Sequence, residues 1–134
     1  MAEKTERIPD HSWSSSFTPS FDFTIQDTVS RYRLFVVIRH TDAYRYKNLW
    51  VEIGIGVPGE AATTERRNLV LATDEKGWLG KGMDDVFEQR ILLNEKPATF
   101  RKAGNYTYTL RHLMREDPLE FVMNAGIRIE KVIE

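Results

Sequence analysis

The chain has 134 residues, 41% of them apolar and 29% charged, with a formal net charge of −1 and no cysteine. That length suits one domain with a real hydrophobic core, and the near-neutral charge gives no bulk attraction for nucleic acid or an anionic membrane surface. Without cysteine there are no disulfides, thiolate nucleophiles or cysteine-based metal sites.

The longest unbroken apolar run covers residues 34–38, far below the roughly 20 residues of a membrane-spanning helix. The first seven residues are charged and lack the apolar centre of a secretory leader. Either the protein stays inside the cell or a targeting segment has been removed.

Residues 1–13 are polar and are expected to be a flexible lead-in or tether, joining the fold near Trp13; residues 14–134 are expected to form one domain. Phe17, Phe21, Phe23 and Ile25 alternate, which predicts a half-buried strand, with Pro19 marking an edge or a bulge. Residues 31–40 predict a strand apolar on both faces. Residues 48–57 predict another, with Gly54 and Gly56 marking a bulge or a close backbone contact before the Pro58-Gly59 turn. A short strand follows over residues 68–72, then a structured loop over residues 73–85 around Trp78. Residues 83–93 fit helix or strand, with strand preferred from Phe87. Residues 104–110 alternate cleanly, and Tyr106 after a Gly-Asn turn suggests a tyrosine corner. A helical turn is expected over residues 113–116 and a last strand over residues 125–133. Seven or eight strands with little helix predict an all-β fold, an antiparallel β-sandwich of jelly-roll or Ig-like type, rather than a barrel.

No catalytic motif is present. His11, His40 and His112 are not at ligand spacing and read as surface or rim histidines. The run from Gly77 to Gly82 lacks Walker spacing and reads as a turn that pins Trp78. Asp74, Glu75, Asp84 and Asp85 offer oxygens but not the calcium-loop pattern. No metal, cofactor or catalytic residue is therefore expected. Arg31, Arg33, Arg39, Arg45 and Lys47, interleaved with tyrosines, suit single-stranded nucleic acid. Pairing with the acidic segment 74–88 is the cheaper explanation, so no nucleic-acid partner is expected.

The sharpest candidate is the connection around residues 39–50, where Arg39, His40, Tyr44, Tyr46, Asn48 and Trp50 concentrate. Arg, Tyr and Trp anchor interfaces more often than other residues. The simpler account is that the aromatics cap the sandwich edge, and that Arg39 and Asn48 satisfy backbone groups there. A sugar-stacking platform on Tyr44, Trp50 or Trp78 is the alternative, and a hydrolase with a polar cleft is a third reading.

Several segments together resemble a known family. These are Ile-Arg-His-Thr (to Thr41), Tyr-x-Tyr-x-Asn-Leu-Trp (Tyr44 to Trp50) and Asp-x-x-Gly-Trp-Leu-Gly-x-Gly (Asp74 to Gly82), followed by Gly104-x-Tyr106, Leu113-Met-Arg115 and Asn-Ala-Gly-Ile-Arg-Ile-Glu (Asn124 to Glu130). In order and spacing they resemble the GldH family of gliding-motility-associated lipoproteins of Bacteroidetes, over residues 13–132. The resemblance implies an envelope lipoprotein held to a membrane by an acylated N-terminal cysteine and facing the periplasm. It implies association with other envelope proteins, the gliding machinery in motile members, and neither enzymatic activity nor a cofactor. The anchor cysteine is not in this chain, which a soluble truncation would explain.

Overall fold

A computed structural model describes residues 2–133. Met1 of the expected lead-in and Glu134 of the expected domain lie outside the described residues. The strands in chain order are β1 (Ala2–Arg7), β2 (Ser12–Trp13), β3 (Ser20–Ile25), β4 (Tyr32–Thr41), β5 (Asn48–Gly56), β6 (Thr63–Val70), β7 (Ala72–Thr73), β8 (Gly77–Trp78), β9 (Lys81–Met83), β10 (Val86–Leu92), β11 (Gly104–His112), β12 (Leu119–Glu120) and β13 (Val122–Lys131). Among the described residues there is one 3₁₀ turn, Pro9–His11, and no α-helix.

One sheet has the order β1-β13-β4-β10-β9 and the other β3-β11-β5-β6, while β12 pairs with β2 and β7 with β8. All pairings are antiparallel. The sheets pack face to face. At one open side β1 lies by β3, with Lys4 Nζ 5.2 Å from the Phe23 ring. At the other β10 lies by β6, where Arg67 Nη2 donates to Leu93 O at 2.9 Å. Taken along the chain, β1, β3, β4, β5, β6, β10, β11 and β13 switch between sheets in the order of a jelly roll. Of the two sandwiches expected, this topology selects that one.

Period-two alternation explains the core. β3 buries Phe21, Phe23 and Ile25; β5 buries Leu49, Val51 and Ile53; β11 buries Tyr106, Tyr108 and Leu110. They meet Val36 and Ile38 of β4 and Ala125, Ile127 and Ile129 of β13 across the sandwich. β4 is buried along its inner face, while on its outer face Phe35 is half-buried and Arg39 exposed, so the expected cover of both faces is only partial. Val37, on the outer face, is also buried, beside Gly126 and Arg90 on the neighbouring strands. That outer face carries a chain of ion pairs: Arg39–Glu88 (2.8 Å), Glu88–Arg90 (3.3 Å), Arg90–Glu3 (4.0 Å), Glu3–Arg128 (3.0 Å) and Arg128–Glu130 (2.6 Å).

Several expectations are corrected. The lead-in is not a free tether over Ala2–Arg7, because that segment pairs residue for residue with β13. Its uniformly exposed side chains hid this: an edge strand held by backbone hydrogen bonds needs no apolar alternation. Gly126 permits the close approach, since a Cβ there would overlap Lys4 O. The loop over residues 73–85 contains the short strands β8 and β9, and residues 113–116 form no helical turn. Gly54 marks close contact rather than a bulge. Its register with Thr109 is regular, and a Cβ would overlap Thr109 Oγ1. The register shift lies instead between Val122 and Asn124.

The tyrosine corner is present. The Tyr106 hydroxyl donates to Lys102 O at 2.7 Å, four residues upstream, and the ring is buried. Tyr106→Phe should lower stability by about 1 kcal/mol, the net worth of such a bond. In urea unfolding the midpoint should fall with an unchanged slope.

Candidate functional site

The connection between β4 and β5 joins the two sheets, and its residues divide into an inward and an outward set. A turn at Thr41 starts it: Tyr44 N donates to Thr41 O at 3.2 Å, and Ala43 N to Thr41 Oγ1 at 3.2 Å. Tyr44 then turns inward. It is buried, and its hydroxyl donates to Asn48 O at 2.8 Å. Burial pushes this phenol well above the ordinary tyrosine range.

His40 is fully buried beside it, not at the rim as expected, and His112 is buried too. The His40 ring lies 4.5 Å from that of Trp78, 5.5 Å from Tyr44 and 5.8 Å from Phe87, centroid to centroid. Gln89 fixes its tautomer. The Gln89 amide nitrogen donates to Leu71 O at 3.1 Å, and a carbonyl can only accept. The same nitrogen is 3.1 Å from His40 Nε2, so Nε2 accepts. Nδ1 therefore carries the proton and donates to Thr41 O at 2.8 Å. Burial holds the His40 pKa below its usual value, with the Thr41 bond and the Asp42 charge opposing. Trp78 closes this cluster, half-buried, with Nε1 donating to Asp42 Oδ1 at 3.2 Å. Gly77 sits at φ +69, where glycine is favoured, and turns the chain into Trp78.

The outward set is different. Tyr46 packs edge-on against Tyr44 at 5.7 Å and donates to Glu116 Oε1 at 2.7 Å. Arg45 Nη1 donates to Glu116 Oε2 at 2.7 Å and lies 5.3 Å from the Phe121 ring. The Tyr46 bond holds the Glu116 carboxyl below its usual range and raises the Tyr46 phenol. Trp50 projects from β5 and is 43% exposed, the one exposed aromatic among the described residues. Tyr46, Trp50, Leu113, Met114 and Arg115 line a groove of about 260 Å³. The Trp50 backbone N–H meets Met114 Sδ at 3.3 Å, which seats the far wall.

The six residues singled out by sequence therefore do not form one surface. His40 and Tyr44 are structural, and Arg39 lies on the outer face of the other sheet, paired to Glu88. Asn48 binds Asn68 Oδ1 through its side chain at 2.8 Å. Neither Arg39 nor Asn48 is buried against the hairpin backbone. The cationic run is balanced in part as anticipated, by Arg39–Glu88 and Lys47–Asp74. Among the described residues no three His, Asp or Glu side chains converge as metal ligands. Leu113, Met114 and Arg115 complete the groove, Glu116 braces Tyr46 behind it, and all four were missed as site residues. Glu116 sits 70 residues from Tyr46 in sequence, so no local pattern joins them.

Residues 1–129 match the family model described as "GldH lipoprotein". Over 128 residues the chain is 28% identical to "Gliding motility lipoprotein GldH homolog" of Christiangramia forsetii, covering 90% of this chain and 78% of that protein. Over 126 residues it is 24% identical to "Gliding motility lipoprotein GldH" of Flavobacterium johnsoniae, covering 89% and 77%. No solved structure matches. The matched region runs from β1 into β13 and takes in the whole Trp50 groove, so the chain belongs to the GldH lipoprotein family.

Proposed function

We propose that this chain is the periplasm-facing domain of a lipid-anchored envelope protein, and that it binds other envelope proteins without catalysing a reaction. In motile relatives those partners belong to the gliding machinery. The membrane attachment is a lipid outside residues 2–133, because β1 is built into the sheet and does not serve as the tether.

One observation carries the reading. Trp50 stands exposed beside an apolar groove whose rim is braced by the Arg45–Glu116–Tyr46 contacts. A rigid aromatic next to a preformed apolar hollow is the usual form of an interface anchor. The sugar-platform alternative is not favoured: Tyr44 is buried, Trp78 is half-buried, and no second exposed aromatic accompanies Trp50 among the described residues.

Immobilised wild-type domain should capture a defined set of proteins from envelope extract. Trp50→Ala should reduce that capture at least about tenfold, the equivalent of roughly 1.4 kcal/mol, with an unchanged melting temperature. Equal recovery of every protein by both forms rejects the surface.

A further inference from the structure

Most open strand edges in this molecule are guarded. β1 carries Glu3, Lys4, Glu6 and Arg7 along its edge, β6 carries Glu65, Arg66 and Arg67, and β3 follows Pro19. Charge and proline on an edge discourage pairing with another chain.

The edge of β10 differs. Its neighbour β9 pairs only with Val86, Phe87 and Glu88. Over Gln89, Arg90, Ile91 and Leu92 that edge has no strand partner among the described residues. Leu93 N–H donates inward to Leu34 O of β4 at 2.8 Å. Antiparallel alternation then turns the N–H and C=O groups of Arg90 and Leu92 the other way, into the open side between β10 and β6.

A groove of about 450 Å³ lies along this edge. Val70 (49% exposed), Leu79 (46%) and Leu92 (40%) border it. Lys81, Glu88 and Arg90 are its charged lining. Arg90 is engaged by Glu88. Lys81 has no carboxylate within ion-pair distance among the described residues.

We propose that this edge receives an extended, acidic peptide from a partner protein as an added strand. Backbone donors and acceptors at strand spacing call for another peptide backbone, which neither a sugar nor an acyl chain supplies. One alternate set of the peptide's side chains, apolar, seats on Val70 and Leu79, and the other set, carboxylates, shares the outer face of the sheet with Lys81 and Leu92. This is strand addition, in which main-chain bonds give affinity and alternate pockets give specificity. The site shares no residue with the Trp50 groove and does not depend on it.

The probes are two fluorescein-labelled heptapeptides, one alternating valine with glutamate and the other valine with lysine. The acidic probe should raise anisotropy saturably and bind at least about tenfold more tightly than the basic one. N-methylation on the edge-facing residues of the peptide should abolish binding. Lys81→Glu should reverse the charge preference, Leu79→Ser should weaken binding of the acidic probe, and Trp50→Ala should bind it like wild type. By hydrogen exchange, the Arg90 and Leu92 amides should be unprotected in the free protein and become protected with the acidic probe. Absence of binding at millimolar probe overturns the proposal, as does binding indifferent to N-methylation. Protection of Arg90 and Leu92 by a concentration-dependent dimer also overturns it and makes a second copy of this chain the occupant.

Discussion

Trp13→Ala is expected to lower stability by about 3–5 kcal/mol, the range for deleting a buried tryptophan. Trp13 is fully buried, and its indole and backbone together make three kinds of contact. Nε1 donates to Phe17 O at 2.8 Å, the ring meets His112 edge-on at 5.5 Å, and the residue pairs with Leu119 between β2 and β12. Truncation leaves a cavity and an orphaned carbonyl together, so the transfer, cavity and hydrogen-bond losses add. Against a total stability of about 5–15 kcal/mol, that is a large fraction, and the melting temperature should fall by roughly 10 °C or more. Trp50→Ala supplies the contrast. Trp50 is 43% exposed, and such a surface change should stay within about 0.5 kcal/mol. Calorimetry of the two variants side by side checks both, and similar melting temperatures would mean that Trp13 does not pack as described.

Acidification below about pH 6.5 should destabilise the domain before the carboxylates titrate. His40 and His112 are both buried, and burial depresses both pKa values. For His112 the Asp117 charge opposes that shift without cancelling it. Each ring already accepts one hydrogen bond. His40 Nε2 accepts from Gln89, and His112 Nδ1 accepts from Met114 N–H at 3.2 Å. A second ring proton would set N–H against N–H in both places. The unfolded chain therefore binds protons that the folded one refuses. Both contributions are complete above the unfolded histidine pKa of about 6.5 and shrink as pH falls towards the depressed folded values. The slope is at most about 1.4 kcal/mol per pH unit for each histidine. Glu88, Glu116 and Asp117 are shifted downward, by hydrogen bonds from Arg39, Tyr46 and Ser15 respectively, so their losses come only at lower pH. Urea midpoints at pH 7.5, 6.5 and 5.5 measure the effect, and a variant carrying His40→Gln and His112→Gln should flatten the profile. A wild-type midpoint constant over that range would contradict the buried neutral histidines.

These two expectations fall on residues that were read differently in the chain. Trp13 was read as the point where the fold begins, which β1 overturns, and not as a member of a ribbon with Leu119, because β12 lies more than a hundred residues away. The histidines looked like rim residues because a lone histidine on a strand carries no local mark of burial. The signal lay in distant partners, Gln89 and Leu71 for His40 and Trp13 for His112. The candidate patch was partly legible. Trp50 follows from alternation on β5, since Leu49 and Val51 face the core and the residue between them must face out. Nothing local reports that Tyr44 turns in while Tyr46, two residues on, reaches Glu116.

By itself the sequence determined the long alternating strands β3, β4, β5, β11 and β13, their inward faces, the tyrosine corner and the family, because period-two alternation, turn residues and ordered motifs are written in neighbouring positions. Only the tertiary structure decided that Ala2–Arg7 is an edge strand, that the sheets take jelly-roll order, that His40 and Tyr44 are core, and that β10 beyond Glu88 has no strand partner on its outer edge among the described residues. The reason is the same in each case. Those outcomes depend on backbone pairing and on burial by segments far away along the chain, and neither leaves a periodic trace in the residues that undergo it.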